Sequence, residues 1–155
     1  MKNTLISLLL LLSFHSSAQE DCSLNPEAIK GVLKGAQTKR EKHGVTETLT
    51  LKNGVKITYQ MGGCAHYAYS FMFENFGKEK LTDRTVILAL AAKLLNDTPV
   101  IETANRDRLL NSIKEAGQTK EKLEDHELQI PCGDANCAID LREEGKLKVG
   151  YDFAL

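Results

Sequence analysis

The chain has 155 residues, with 20 Lys and Arg against 21 Asp and Glu and a formal net charge of −1 at pH 7. This near balance, without a basic block, argues against nucleic acid and anionic membranes as partners. A chain of this length suffices for one domain with a modest hydrophobic core.

The first eighteen residues, MKNTLISLLLLLSFHSSA, have the features of a secretory signal peptide. Lys2 precedes an apolar run over 5–12, and the segment 1–18 ends in the small-x-small pattern that signal peptidase cleaves, here before Gln19. The run is shorter than the roughly 20 residues of a membrane-spanning helix, and it lacks the cap and the polar face of a buried N-terminal helix. We therefore expect a periplasmic or secreted protein, without membrane anchoring, whose single domain covers residues 19–155.

All four cysteines lie in the exported part, and an even number in an oxidising compartment predicts two disulfides. Four cysteines permit three pairings. The strand pattern described below favours a bridge between Cys132 and Cys137, which leaves Cys22 to pair with Cys64. The chain-entropy relation gives roughly 4 kcal/mol of stability for the long-range bridge and roughly 2 kcal/mol for the short one.

The segment from Asn25 to Arg40 predicts the first helix of the domain. Asn25 is a good N-cap and Pro26 suits the first helical position. Apolar residues then recur along one face as far as Ala36, although two glycines weaken the helix.

Three strands are predicted after this helix. In VTETLTLKNGVKITYQM, over 45–61, apolar and polar residues alternate. A three-residue loop that ends at Gly54, in the left-handed conformation, places Leu49 opposite Ile57 on one apolar face. The third strand carries four aromatic residues on one face, which predicts that they belong to the core: Tyr67, Tyr69, Phe71 and Phe73.

Two helices are predicted in the middle of the chain. The segment DRTVILALAAKLLN, over 83–96, begins at Thr82 or Asp83 and is apolar almost all round, which predicts a central, buried helix. The second helix runs from about Asn105 to Ala116, with the following glycine as its C-terminal cap.

The last third of the chain predicts a second three-stranded meander. A four-residue loop over 133–136 sets Cys132 opposite Cys137 and Ile130 opposite Ile139. Cysteines directly opposite on antiparallel strands lie within bridging range, which is the basis of the predicted short disulfide.

The final hairpin turns at 143–145 and pairs Ile139 with Val149. The predicted order is therefore helix, three strands, two helices and three strands. This order predicts an α+β domain, with an antiparallel sheet built from two three-stranded meanders and with helices packed on one face.

The segment GGCAHYAYSFMF, over 62–73, brings Cys64 close to His66 and permits three interpretations. A nucleophile with its base needs a free thiolate, which a bridged Cys64 lacks. A structural zinc site needs a second paired motif, and only His43, His66 and His126 remain after export. We favour the disulfide, and we expect no catalytic residue, metal or other cofactor.

The loop CGDANC is the leading candidate for a recognition feature. The alternative is that its disulfide only stabilises the hairpin. Its spacing is similar to that of the protruding loop of periplasmic lysozyme inhibitors, but its middle residues do not reproduce that family's histidine-bearing loop. The likeness therefore concerns only the mode of recognition. A disulfide that pre-orders the tip lowers the entropy lost on binding. The predicted partner-binding residues are Gly133, Asp134, Ala135 and Asn136.

These features favour a small exported, non-enzymatic binding protein that recognises a protein partner, for example as an inhibitor or an immunity protein. One alternative is a hydrolase with a His66-centred or acidic site. Another is a small-molecule-binding periplasmic protein with a pocket between the aromatic strand and the buried helix. The pattern leaves the oligomeric state open.

Export predicts that the mature protein begins at Gln19 and contains no free thiol. Mass spectrometry of the exported protein, unfolded and alkylated, should show a chain without residues 1–18 and without alkylation until the disulfides are reduced. A retained leader, or cysteines that react before reduction, would contradict this expectation.

Overall fold

The computed structural model describes residues 29–63, 66–77, 81–119 and 123–154, with the backbone alone for His66 and Ala154. Within these ranges the chain forms one antiparallel sheet and two helices, which confirms the predicted α+β class. The predicted signal peptide, Cys22 and Cys64 lie outside the described residues. The elements are β1 (Gln37–Glu41), β2 (Gly44–Thr50), β3 (Lys56–Gly62), β4 (His66–Glu74), α1 (Arg84–Asp97), α2 (Ala104–Ala116), β5 (Glu127–Ile130), β6 (Asn136–Asp140) and β7 (Lys146–Ala154).

The two predicted meanders are parts of one seven-stranded sheet with the order β1-β2-β3-β4-β7-β6-β5. They join where β4 pairs with β7, from His66 opposite Ala154 to Glu74 opposite Lys146. The edge strand β1 was not predicted as a strand. All of its residues are exposed, so no buried face imposes the apolar alternation by which strands are recognised.

Local signals predicted the β2–β3 hairpin and the aromatic strand correctly. Leu49 lies opposite Ile57, and Gly54 has a φ of 86°. In β4, Phe71 and Phe73 are fully buried, and the Phe71 ring centroid lies 4.9 Å from that of Tyr59. These side chains form the centre of the core beneath the helices.

Both central helices lie close to their predicted bounds. Asp83 caps α1, because its Oδ1 accepts a hydrogen bond from the Val86 N–H at 3.0 Å. Helix α2 is followed by Gly117, whose N–H donates to the Ile113 carbonyl at 3.1 Å. Helix α1 was predicted to be central and buried, and it packs on the core with one face only, since Val86 is 41% exposed. Neither described helix is long and apolar enough to cross a membrane.

The predicted helix after Asn25 is wrong over its described part. Residues 29–36 form no helix, and the following residues belong to β1. Gly35 has a φ of 79°, a left-handed conformation that interrupts a right-handed helix. Tertiary contacts hold this segment in its place.

The main contact of the segment 29–36 is with a buried glutamate. Glu47, on β2, is 1% exposed, and its carboxylate accepts the N–H groups of Val32 at 2.9 Å and Leu33 at 2.7 Å. On the other side of the segment, Ile101 donates its N–H to the Val32 carbonyl at 2.7 Å. The segment is therefore held between the sheet and the connection that joins α1 to α2.

Glu47→Ala should reduce the free energy of unfolding by about 3 kcal/mol, because two buried N–H groups lose a charged acceptor. Chemical unfolding measures the loss, and amide hydrogen exchange at Val32 and Leu33 should accelerate. Glu41→Ala is the matched control, since the Glu41 pair with Lys39 is exposed and contributes little. Equal losses in the two variants would contradict the role of Glu47.

Candidate functional site

The uncovered face of the sheet forms a concave trough with a volume of about 720 Å³. Its walls come from opposite sides of the sheet, the β1–β2 turn at one end and β5 with β6 at the other. Six strands lie between β2 and β5 inclusive, and at about 4.8 Å per neighbouring strand the face is about 24 Å wide. Because both sides border one cavity, the sheet curves toward this face.

Short side chains form the floor of the trough. The register places Gln60 opposite Ser70, Ser70 opposite Gly150, and Gly150 opposite Ala138. Gln129 then lies opposite Ala138 on β5. Two glutamines therefore border three short residues, and the centre of the floor carries no charge.

An ion network forms the wall on β5 and β6. Arg142 donates from Nε to Asp140 Oδ1 at 3.0 Å, and its Nη2 lies 2.5 Å from Asp140 Oδ2 and 3.0 Å from Glu127 Oε2. Hydrogen bonding from Arg142 lowers the pKa of Asp140, and the nearby charge of Lys148 acts in the same direction. The charges of this wall are thus largely balanced within the wall itself.

The opposite wall contains a close approach of two strands. A Cβ added to Gly44 would lie 2.8 Å from the Met61 carbonyl oxygen, and one added to Gly62 would lie 2.8 Å from the His43 carbonyl oxygen. His43 belongs to the exposed β1–β2 turn that borders the trough. Glycine at these two positions is required by the fold.

The short disulfide is present, but the register around it differs from the prediction. Cys132 and Cys137 are bridged, with their Cα atoms 6.0 Å apart. Ile130 lies opposite Cys137, where the prediction placed Cys132, so the register is shifted by two residues. Pro131 accounts for the difference, because proline has no N–H to donate to the ladder and β5 ends just before it.

The four predicted partner-binding residues divide between two surfaces. Gly133 borders a groove of about 420 Å³ against α2, whereas Asn136 lies in β6 and borders the trough. Asp134 is exposed and lines neither of these two cavities, and Ala135 is half-buried. Recognition through this loop stays a prediction, and Asn136 is the residue that connects it to the trough.

Tyrosine rings pack on the covered face, behind the trough. Tyr69 and Tyr151 stack with their centroids 4.9 Å apart, and the Tyr67 ring meets both edge-on. The Arg108 guanidinium of α2 lies 5.0 Å from the Tyr151 centroid. Burial raises the pKa of Tyr69. The aromatic strand thus contributes its rings to the core, and the trough lies on the other side of the sheet.

The histidines identified from the sequence do not converge in the described residues. His66 begins β4, but its side chain and Cys64 lie outside the described part, so their predicted relation is not tested. His126 lies in an exposed turn and accepts the Leu141 N–H at 2.8 Å through its carbonyl. Within the described ranges, no group of three His, Cys, Asp or Glu residues is arranged to hold a metal ion.

Sequence reasoning did not identify the floor of the trough. Alternation placed Ser70 on the face opposite the aromatic rings, and it places Gly150 between Lys148 and Asp152 on the polar face of the last strand. Neither signal shows that β4 lies beside β7, and only this pairing brings Ser70 and Gly150 together.

Comparison of the chain with protein-family models, with curated proteins and with solved structures finds no match. The site is therefore interpreted from its own geometry.

Asp140→Asn should lower the free energy of unfolding near neutral pH and have no effect in strong acid. Because the folded pKa of Asp140 is depressed, its stabilising effect is complete above the ordinary Asp pKa of about 3.9. The effect is lost as the pH falls through the lower folded value. Chemical unfolding of both proteins across this pH range measures the difference.

Arg142→Gln is the companion variant, and it should raise the pKa of Asp140 toward its ordinary value. An NMR titration of the Asp140 carboxyl carbon measures this pKa directly. The same pKa in the variant and the parent protein would show that Arg142 is not the cause of the depression.

Proposed function

We propose that the protein is a small exported, non-enzymatic binding protein that recognises a partner protein through the trough. The observation that carries this proposal is the concave sheet face, about 720 Å³ in volume, whose central row of Ser70, Gly150 and Ala138 carries no charge. A secreted hydrolase that it inhibits, or a toxin to which it gives immunity, is the kind of partner we expect.

The rigidity of the floor supports binding. Ser70, Gly150 and Ala138 lie on β4, β7 and β6, and each of these strands pairs with a neighbour on both sides. Side chains on paired central strands are positioned before a partner arrives. Binding to such a surface loses less conformational entropy than binding to a mobile loop.

The width and charge of the trough support a protein partner. A face of about 24 Å accommodates a helix, whose diameter is about 10–12 Å, or a protruding loop. Since Arg142 already pairs with Asp140 and Glu127, the element that enters need not carry charge at its centre. An uncharged convex segment, with charged residues around it, is complementary to this surface.

A small molecule is the second candidate, because the volume of the trough lies within the roughly 300–1,000 Å³ of small-molecule sites. A thermal-shift screen with metals, sugars and cell-wall fragments distinguishes the two candidates. A large stabilisation by one compound would favour the small molecule over the protein partner.

A photo-crosslinking amino acid at Gln129, on the trough, should capture one protein from the exported fraction of the producing organism. The same group at Lys93, exposed on α1, should capture several-fold less, because α1 lies on the opposite side of the sheet. The captured protein, once purified, should bind with a Kd in the micromolar range or below. Equal capture at the two positions, or none at Gln129, would contradict the proposal.

A matched pair of loop variants completes this experiment. Asn136→Ala should weaken binding of the purified partner by roughly fivefold, the effect of one hydrogen bond of about 1 kcal/mol. Asp134→Ala should leave the affinity unchanged, because Asp134 does not line the trough. The reverse order would place recognition on the tip of the disulfide loop and away from the trough.

A further inference from the structure

We propose that the floor around Ser70 and Gly150 binds an extended peptide segment of the partner with small, uncharged side chains. This inference rests on the proposed function and specifies which chemical group the trough receives.

The first observation is a glycine that the fold does not require. Gly150 lies in the interior of β7, where glycine weakens a strand, and its φ is outside the left-handed region. An added Cβ would lie 3.6 Å from the Ser70 Cβ and 3.8 Å from the Tyr69 carbonyl oxygen, which are ordinary van der Waals contacts. Gly44 and Gly62, in contrast, have no room for a Cβ. The missing side chain of Gly150 therefore leaves space above the sheet.

The second observation is a buried hydroxyl beside that space. Ser70 is 6% exposed, and its side chain lies on the trough side of β4, next to Gly150. A hydroxyl is both a donor and an acceptor, so a polar group of a ligand in the trough can form a hydrogen bond with Ser70.

The dimensions of the floor fit one extended chain. Ser70 and Ala138 are two strand spacings apart, about 10 Å, with Gly150 between them. Gln60 and Gln129 are four strand spacings apart, about 19 Å, which leaves room for one extended chain above the floor between them.

The chemistry of the walls favours a peptide over a glycan. Gln60, Gln129 and Asn136 each offer a donor and an acceptor, and a peptide group presents one N–H and one C=O in return. The rings of Tyr69 and Tyr151 stack on the covered face. The trough therefore presents amides and hydroxyls to a ligand, whereas the tyrosine rings on which a sugar would pack face the core.

To test the inference, a phage-displayed library of short linear peptides is selected for binding to the oxidised protein. The enriched peptides are then synthesised individually, and their affinities are measured by calorimetry. They should be rich in Gly, Ala, Ser and Asn, and Gly150→Val should weaken their binding at least roughly tenfold. Ser70→Ala should weaken it by roughly fivefold, the effect of one lost hydrogen bond. Thr50→Val is the matched control, because Thr50 is an exposed strand residue outside the trough.

The variants are chosen so that their folding can be verified. Val is a good strand former and the site has room for a Cβ, so Gly150→Val should keep or raise the melting temperature. If it does not fold, Gly150→Ala and Ser70→Ala serve the same comparison.

Three results of the peptide and glycan experiments would overturn the inference. The first is that no peptide is enriched, and the second is that the enriched peptides bind Gly150→Val as well as they bind the parent protein. The third is that a glycan array gives binding that Gly150→Val abolishes, which would assign the floor to a sugar. A purified partner that binds all these variants equally would refute the peptide floor while leaving the proposed function intact.

Discussion

The central contact of the fold is the pairing of β4 with β7. It joins the two halves of the chain and sets Phe71 beside Val149, and Tyr69 beside Tyr151, in the core. Because side chains alternate between the two faces of a strand, a shift of one residue would move these rings into the trough. Burial of the core therefore decides, at the same time, which side chains form the floor of the trough.

The two faces of the sheet meet opposite requirements at the same strand positions. Large rings fill the covered face, and the residues between them, Ser70 and Gly150, remain small. The covered face holds the strands in place, so the short residues on the other face form a fixed surface. Gly150 lowers the stability of β7. A larger residue at this position would strengthen the strand, but its side chain would fill part of the trough.

The elements that sequence reasoning predicted correctly are those that nearby residues determine. Gly54 sets the turn and register of one hairpin, and Asp83 sets the start of α1. The prediction of a helix after Asn25 was wrong because Glu47, which is distant in sequence, accepts the backbone N–H groups that a helix would have used. The register at Ile130 failed for a local reason, since Pro131 ends the strand, and this signal was readable in the sequence.

The disulfide loop and the trough, which the sequence treats as unrelated, meet at one residue. Cys137 is buried on the covered face, and its bridge to Cys132 fixes the start of β6. Alternation along β6 then turns the preceding residue, Asn136, toward the trough. If the trough is the binding surface, the disulfide contributes to recognition by positioning Asn136 at the wall. In that arrangement Asp134, at the tip of the disulfide loop, has no role in binding, and the disulfide and the floor of the trough belong to a single site.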